Sequence, residues 1–464
     1  MVRRYFTNDA KRLRVLSGIV VVLSIAAIGT YLLAGSHAAT PFISVTAPSG
    51  NLSSTATNCP FNNTSTGSAT VFHQAIPMDG KVALSLSCPG NPFSPSSFWN
   101  TSLPASTPVN VNSAAYVAAL VNEMCHPDTG PQTGPCTSTA PYGEANTTDW
   151  SVPFYVVPAN QPCNPVVLNS TSTSTGAVNL AKLLSQGEPN QSQCQGVPIP
   201  ADAQAAAGTD GHIAIYQSAS DTLWEFWRLS TPTQNIPGAA PLPWNTTNAP
   251  APSYGDSQWH AVWGGVMTDV SSNNGVFPPD WAGWASGVSL LGSVIRIEEL
   301  QTGQIDHVMG LGAGDLLSRD IAPANTTQPG DTPADDQGIS WPADDTDGTN
   351  TSPLAIPEGL HLRLPANLDL NQYDLSPVAK VIAIAAQKYG FVVDDTSNVN
   401  VGPHFGDPTP YIVAGLPNPY TTGPGVGGVG SGGLFAGVNE NQVMNNFPWD
   451  QLQALPFNYG EPSQ

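Results

Sequence analysis

Charge is scarce in this chain of 464 residues, and basic charge is scarcer than acidic charge. Only 10% of the residues are charged, and 34 Asp and Glu stand against 13 Lys and Arg. A surface this acidic repels phosphate backbones and anionic lipid, so the composition excludes nucleic-acid binding and predicts membrane contact only through the N-terminal segment. Neutral or cationic partners, and bound divalent cations, are compatible with it.

Several catalytic motifs are absent. The sequence has no GxSxG, no P-loop, no HExxH and no dinucleotide fingerprint in a βαβ context. The glycine-rich run that begins at Gly425 is not followed by a helical pattern, so it does not predict a phosphate cradle. Phosphoryl transfer and serine hydrolysis of the α/β-hydrolase type are therefore not expected.

Residues 1–38 predict export. Basic residues precede an apolar run from Val15 to about Ala34, and Ser36-His-Ala38 offers small residues for signal-peptide cleavage before Ala39. The run is also nearly long enough to span a bilayer, so cleavage and retention as an N-terminal anchor both stay open. Either way the remainder is secreted or anchored on the outer face of the cytoplasmic membrane. Removing the segment's five basic residues and Asp9 leaves 8 basic and 33 acidic residues, a net charge of −25.

No cysteine pair has the CxxC spacing of a zinc or iron–sulfur site. All six cysteines follow the export segment, and an even number in an exported protein predicts disulfides. Among the fifteen possible pairings we predict nearest-neighbour bridges. The six residues are Cys59, Cys88, Cys125, Cys136, Cys163 and Cys194.

Long helical patterns are few, whereas Gly, Pro, Ser, Thr and Asn are abundant, which favours short strands and turns. We expect a mainly β fold, with a β-sandwich or jelly-roll-like main domain over residues 93–460 and a few peripheral helices. Residues 39–92 predict a small cysteine-containing β element or stalk. Residues 322–353 predict an exposed acidic loop, and residues 423–434 a flexible glycine-rich loop.

Helical spacing and capping residues predict helices over residues 112–124 and 376–387. A strand is expected over residues 293–300, followed after a turn at Thr302-Gly303 by a hairpin partner at residues 305–311.

The segment Gly208–Leu229 predicts a central hairpin with a turn at residues 218–221. A symmetric turn pairs His212 with Trp227, Ala214 with Glu225 and Tyr216 with Leu223. Since side chains alternate along strands, His212, Glu225 and Trp227 then share one face. The opposite face, with Ile213, Ile215, Trp224 and Phe226, is the expected core.

The ordered motifs resemble those of a family of exported, mainly bacterial β-rich proteins. They are Asp210-Gly-His212, Glu225-Phe-Trp227, Trp259 with Trp263-Gly-Gly265, Ile305-Asp-His307, and Pro357-Glu-Gly with Tyr389-Gly-Phe-Val-Val. The resemblance covers roughly residues 93–460 and implies secretion and a common β-rich domain. The family has no activity assigned to it, so the resemblance implies no catalytic residue.

The polar face of the hairpin is the first candidate site. A carboxylate beside an imidazole fixes its tautomer and raises its pKa, so His212 and Glu225 can transfer protons. Trp227 and Trp263 can stack on a sugar ring, and Asp210 can bind substrate beside them. The alternative is a buried polar network that only fixes the packing of the sheet.

A glycosidase requires two carboxylates, and we predict Glu225 paired with Asp269 or Glu298. His307 lies across the short turn from Glu298 and could share protons with His212. Together the two histidines would also suit a divalent metal, but a lone strand histidine is more often structural, so no metal ligand is assigned. For a lyase, His212 or Tyr216 would be the base.

Asp345 and Asp347 offer oxygen ligands at alternate positions, with Asp344 before them and Gly348 after them. This pattern is loosely similar to a calcium loop. The bidentate Glu at the usual distance is missing, and Glu358 follows a proline. A solvated acidic loop that binds no cofactor is therefore expected. The alternative is a loop that binds calcium.

These patterns predict an exported protein that binds or acts on extracellular or cell-envelope carbohydrate, as a glycoside hydrolase or polysaccharide lyase if it is an enzyme. The alternative is a non-catalytic cell-surface protein that binds a glycan or another protein.

Overall fold

The computed structural model describes residues 56–58, 70–72, 76–78, 81–83, 92–125, 143–168, 174–186, 195–208, 210–230, 259–323, 338–397 and 401–462. The strands are β1 Ala56–Asn58, β2 Thr70–Phe72, β3 Ile76–Met78, β4 Lys81–Ala83, β5 Phe154–Val156, β6 Val166–Leu168, β7 Ile213–Gln217, β8 Thr222–Trp227, β9 Trp259–Ala261, β10 Trp263–Met267, β11 Met309–Ala313, β12 His361–Arg363, β13 Phe391–Thr396, β14 Gly402–Pro403 and β15 Gln453–Ala454. The helices are α1 Ser113–Met124, α2 Thr175–Gln186, α3 Leu290–Ser293, α4 Ile297–Thr302, α5 Pro377–Lys388, α6 Thr409–Val413 and α7 Glu440–Val443.

Two mixed sheets carry the described fold. One has four strands in the order β10-β8-β7-β5, and the other has five in the order β14-β11-β13-β12-β15. Within these sheets the pairs β5–β7 and β11–β13 are parallel and the other pairs are antiparallel. Strands β6 and β9 form a separate parallel pair. Of the residues that the structure describes, 22% are helical and 20% lie in strands. The mixed sheets are compatible with the expected mainly β fold, although the helical share is as large as the strand share.

Strand β13 lies between two hydrophobic cores. Phe391 and Val393 belong to the core that contains α5, whereas Val392 belongs to the core around the central hairpin. Because side chains alternate along a strand, the residue after Val393 is directed toward the hairpin core. That residue is Asp394, whose carboxylate lies 2.9 Å from His404 Nε2.

The two predicted helices are confirmed as α1 and α5. The Ser376 side chain accepts a hydrogen bond from Ala379 N at 3.0 Å, and Pro377 occupies the first turn of α5. Gly390 follows the helix with φ of 85°, the left-handed conformation that glycine adopts without steric cost.

The strand expected over residues 293–300 is wrong, because α3 ends and α4 begins there. The Glu299 side chain accepts from Arg296 N at 2.9 Å, which satisfies a free amide at the start of α4. The following segment does form β11, but this strand pairs with β13 and β14 rather than in a hairpin.

The predicted exposed acidic loop is wrong for its described part, residues 338–353. Asp345 and Thr346 are buried, and Ser340 N donates to Glu358 O at 2.7 Å, which ties the segment to the strand region before β12. The predicted export segment, and most of residues 39–92, lie outside the described residues. Within the described part of the chain, no helix is long and apolar enough to cross a bilayer.

Candidate functional site

The central hairpin has the predicted register. Ala214 pairs with Glu225 and Tyr216 with Leu223, and the turn lies at residues 218–221. However, both faces of the strand pair are buried, because His212 and Glu225 are 1% and 0% exposed. The alternative of a buried polar network therefore fits His212 and Glu225, and Trp227 is the member of the predicted polar face that is partly exposed.

Glu225 is an internal acceptor of hydrogen bonds. Ser289 Oγ donates to its Oε1 at 2.7 Å, Leu291 N to the same oxygen at 2.8 Å, and Leu290 N to Oε2 at 2.7 Å. These amides belong to the first turn of α3 and have no partner within the helix. Burial raises the pKa of Glu225 to about 7 despite these bonds. A carboxylate enclosed in this way fixes α3 against β8 and is not accessible to a glycan.

Asp269, one predicted partner of Glu225, is exposed and lies at the turn end of the hairpin. It precedes the 3-10 turn Val270–Ser272, where Ser271 N donates to Asp221 at 3.0 Å. Trp227 lies six residues from Asp221 along the strand direction, which corresponds to about 20 Å. Asp269 and Trp227 therefore lie at opposite ends of β8.

Glu298, the other predicted partner, accepts a hydrogen bond from Tyr411 Oη at 2.7 Å. Burial raises its pKa. It lines a cavity of about 30 Å³ together with Phe154 and Asp407, and such a space holds only about one or two waters. The predicted carboxylate pair is therefore not assembled around Glu225.

His307 has a structural role. Its Nδ1 lies 2.7 Å from Val308 O and its Nε2 lies 3.0 Å from Glu299 Oε2, so both ring nitrogens are engaged. Burial opposes the ionisation of Glu299, but the charges of Arg296 and His307 lower its pKa to about 2. His307 therefore completes a buried ion-pair network and has no ring nitrogen left for the predicted sharing of protons with His212.

His212 instead belongs to a chain of aromatic rings in contact. Its ring centroid lies 4.4 Å from that of Trp284, and Trp284 lies 4.2 Å from His404. His404 Nε2 lies 2.9 Å from Asp394 Oδ1. We call His212, Trp284, His404 and Asp394 the central cluster. The His404 side chain is 12% exposed, whereas Asp394 is fully buried, so the cluster reaches solvent at His404.

The two ends of the central cluster differ electrostatically. Burial, followed by the nearby charge of His404, lowers the pKa of His212 to about 3, so His212 is neutral near pH 7. A neutral buried imidazole in edge-to-face contact with an indole is a packing element. His404, with a carboxylate on one ring nitrogen and partial access to solvent, is the member that can exchange protons.

A β-bulge and two glycines position Asp394. Leu311 pairs with Val393 and Gly312 with Asp395, so Asp394 is the extra residue of β13 at this point. A bulge re-aims side chains and is common beside functional sites. A Cβ on Gly310 would overlap Asp394 Oδ2, and one on Gly312 would lie 3.3 Å from His404 Cε1. Glycine at both positions thus makes room for the pair.

A partly exposed aromatic side chain and a partly exposed basic side chain lie next to each other at the end of β8. The Arg228 guanidinium carbon lies 4.5 Å from the Trp227 ring centroid, and Arg228 N donates to Asp210 O at 2.9 Å. Trp263 pairs with Trp227 across β10 and β8, as their predicted joint role requires, but Trp263 is buried and its Nε1 donates to Asp280 O at 2.6 Å. Trp227 is therefore the one of the two with surface to offer a ligand.

A second cluster lies beside the first, because Asp395 follows Asp394 in β13. One carboxylate oxygen from each of Asp347, Glu358 and Asp395 lies within 4.8 Å of the others. We call these three residues the carboxylate cluster. Burial, and then the negative charge of Asp347, raises the pKa of both Glu358 and Asp395 well above its usual range.

Of the three aspartates in the predicted calcium loop, only Asp347 belongs to the carboxylate cluster. Asp344 Oδ2 accepts from Asp280 N at 2.7 Å, and Asp345 Oδ1 accepts from Arg319 Nη1 at 2.5 Å. The three neighbouring aspartates thus face different surroundings. The other two cluster members come from residues 11 and 48 positions further along the chain.

Sequence reasoning missed His404, Asp394, Asp395 and Trp284. The available signal was Asp394-Asp395 at the end of an apolar strand, since consecutive carboxylates are unusual where a strand is buried. No local pattern connects them with His404 or Trp284, because these contacts join residues far apart in the sequence.

Cys125 and Cys163, the two cysteines among the described residues, are disulfide-bonded. The other four lie outside the described residues, so the predicted pairing stays a prediction.

No protein-family model, no curated protein and no solved structure matches this chain. The geometry of the two clusters is therefore the basis for a functional assignment.

Proposed function

We propose that this exported protein acts on extracellular or cell-envelope carbohydrate, with His404 as the acid–base group and Asp394 as the residue that orients it. The observation that carries the proposal is the 2.9 Å contact between His404 Nε2 and the fully buried Asp394 carboxylate, at a ring that reaches solvent. A carboxylate on one ring nitrogen fixes the tautomer and leaves the other nitrogen available for proton transfer.

Two further features of the protein support a neutral polar substrate. The net charge of −25 without residues 1–38 disfavours anionic polymers. Trp227, at the end of β8 with Arg228 over its ring, offers an aromatic surface and hydrogen-bond donors. Indole faces and a few directed polar groups are the usual contacts of sugar rings.

Two reaction classes fit this arrangement. In hydrolysis, His404 would transfer a proton to or from the attacking water or the leaving oxygen. In a lyase reaction it would remove the carbon-bound proton next to the carboxylate of a uronic acid while the glycosidic C–O bond breaks, and the acidic surface disfavours such an anionic sugar. The two are separated by their products, because elimination leaves an unsaturated sugar that absorbs ultraviolet light and hydrolysis does not.

The experiment is a glycan panel treated with the exported protein, with new reducing ends and ultraviolet absorbance as readouts. Loss of a general acid or base typically lowers the rate by about 10²–10⁴-fold, so we expect His404→Asn to lie in that range while glycan binding is retained. Asp394→Asn should lower the rate through His404, and Asp269→Asn, an exposed carboxylate outside both clusters, should leave it unchanged. Full activity of His404→Asn would contradict the proposed role.

The second candidate is a non-catalytic cell-surface protein that binds a glycan or another protein. The burial of His212, Glu225 and His307 favours it, because three of the predicted catalytic side chains have no access to a ligand. Glycan binding that depends on Trp227, without product from any glycan tested, would favour this candidate. Binding of no glycan at all would contradict the carbohydrate proposal in both forms.

We also propose that the sheets form a sandwich-like domain. Two larger sheets with separate hydrophobic cores support a layered, sandwich-like arrangement, whereas the parallel pairs argue against jelly-roll connectivity, which is antiparallel. Export itself is tested by N-terminal sequencing of the protein recovered outside the cell. A start at Ala39 would indicate cleavage, and a start at Met1 would indicate an anchor.

A further inference from the structure

Glu358 is the most unusual side chain of the carboxylate cluster. It is fully buried, and neither of its carboxylate oxygens has a hydrogen-bond partner among the described residues. Buried carboxylates are normally paired or hydrogen-bonded, because an ion out of water needs compensation. Thr346 is the described side chain that favours the ionised form of Glu358, but its hydroxyl donates to Leu317 O at 3.3 Å, and no described group meets either Glu358 oxygen in hydrogen-bond geometry.

The neighbours of Glu358 increase the need for a positive charge. Asp347 and Asp395 each bring an oxygen within 4.8 Å, and Asp345 adds further negative charge. No Lys or Arg in the described ranges forms an ion pair with Glu358 or Asp395. Arg319 pairs with Asp345, and Arg363, five residues after Glu358, donates to Pro104 O and Thr107 O instead. Among the described residues, Glu358 and Asp395 thus have no basic side chain as a countercharge.

The backbone holds Glu358 in this position. Gly359 has φ of 85°, and a Cβ there would overlap Ser340 O, so the chain turns sharply after Glu358. Gly359 N donates to Val393 O at 2.7 Å, which places Glu358 beside the end of β13. Residues on three separate segments are therefore fixed around one point before any ligand binds.

We propose that Asp347, Glu358 and Asp395 together bind a Ca²⁺ ion. Hard oxygen ligands select hard divalent cations over soft transition metals. Ligands on opposite sides of Ca²⁺, at about 2.3–2.6 Å, are at most about 5.2 Å apart, so three oxygens within 4.8 Å fit one coordination sphere. Ca²⁺ also satisfies the two orphaned oxygens of Glu358, which a proton on one of them does not.

This inference stands independently of the proposed function, because it concerns binding of the metal alone. Asp395 follows Asp394 directly, so an ion here would also hold β13 next to the central cluster. The ion would stabilise the position of the Asp394–His404 pair whether that pair is catalytic or not.

The test uses the exported protein after removal of metal with EDTA. Ca²⁺ added at millimolar concentration, a range that suits extracellular sites with a Kd of about 10⁻⁴–10⁻³ M, should raise the Tm of the wild type. Equilibrium dialysis should show one ion fewer per chain in Glu358→Gln than in the wild type. Loss of an outer partner of a metal ligand already costs about 10–100-fold in affinity, so loss of a direct ligand should cost at least as much.

Two controls make the result decisive. Asp269→Asn removes an exposed carboxylate with the same change of charge and should keep the full Ca²⁺ response. Asp347→Asn, at a partly exposed position, repeats the test should Glu358→Gln fail to fold. An equal rise of Tm in the wild type and in Glu358→Gln would overturn the proposal, as would a response to Mg²⁺ equal to the response to Ca²⁺.

Discussion

Neutralising Glu358 should stabilise the metal-free protein, although the substitution keeps a buried polar group. Two carboxylates 4.8 Å apart repel by about 3.5 kcal/mol at an effective dielectric constant of about 20. Glu358 has two such neighbours, so the repulsion on a fully ionised Glu358 would approach about 7 kcal/mol. Glu358→Gln removes this charge with little change of shape.

Proton uptake limits the gain. The native protein avoids the repulsion by keeping Glu358 protonated, because burial and the charges of Asp347, Asp395 and Asp345 raise its pKa well above the ordinary 4.5. Holding that proton at pH 7 costs about 1.36 kcal/mol for each of the 2.5 pH units above 4.5, or about 3.4 kcal/mol. Glu358→Gln should therefore gain up to about 3 kcal/mol at pH 7 and less than about 1 kcal/mol at pH 5.

The sign follows from linkage. A carboxyl group with a raised pKa in the folded state contributes its full stability below pH 4.5 and loses it as the pH rises. The wild type should thus lose more stability than Glu358→Gln between pH 5 and pH 7.

Urea denaturation in EDTA at both pH values measures the difference, with Asp269→Asn as the control, which should stay within about 0.5 kcal/mol of the wild type. A variant less stable than the wild type at pH 7, or an equal gain at both pH values, would refute the argument.

Three further predictions concern the packing around the clusters. Gly310→Ala should destabilise the fold by about 1–3 kcal/mol, because its Cβ would overlap Asp394 Oδ2 and lie 2.6 Å from Ser293 Cβ. Thermal denaturation measures this loss. The control Gly176→Ala, whose Cβ would meet Trp281 only at 3.6 Å, should be neutral. Glu299→Gln should cost about 3–5 kcal/mol, because it leaves Arg296 without its buried partner, and a loss below about 1 kcal/mol in urea denaturation would contradict the network. Burial lowers the pKa of His212 to about 3, so its neutral form stabilises the fold above pH 6.5. This stability is lost as the pH falls toward 3, by about 1.4 kcal/mol per pH unit. His212→Gln should flatten this part of the curve of stability against pH, and an unchanged slope would mean that His212 is charged in the fold.

Local structure was accessible from the sequence where the pattern was strong and short in range. The register of the central hairpin followed from a polar turn flanked by alternating side chains, and α5 from its Ser cap, Pro and Gly. Both depend on contacts between residues close in sequence. The segment over residues 293–300 was mispredicted because its β-branched residues favour a strand, whereas the Glu299 side chain caps a helix there.

The candidate site was much less accessible. The sequence identified Asp210, His212, Glu225, Trp227 and Trp263 as site residues. The hairpin carries His212, Glu225 and Trp227 on its strands and their ends, and Trp263 lies on the adjacent strand β10. Alternation predicts which residues share a face, but it does not predict what covers that face. Packing of α3 on Glu225 and of Trp284 on His212 decided that, and both partners come from more than 60 residues further along the chain.

By itself, then, the sequence determined the acidic composition, the expectation of export, the hairpin and its register, and the two capped helices, since each depends on composition or on neighbouring residues. Only the tertiary structure decided that His404 meets Asp394 and that Asp347, Glu358 and Asp395 converge. The physical reason is that these contacts form between distant segments, held by a bulge in β13 and by glycines at positions 310, 312 and 359. Such contacts are fixed by the packing of the two sheets, which no local pattern encodes.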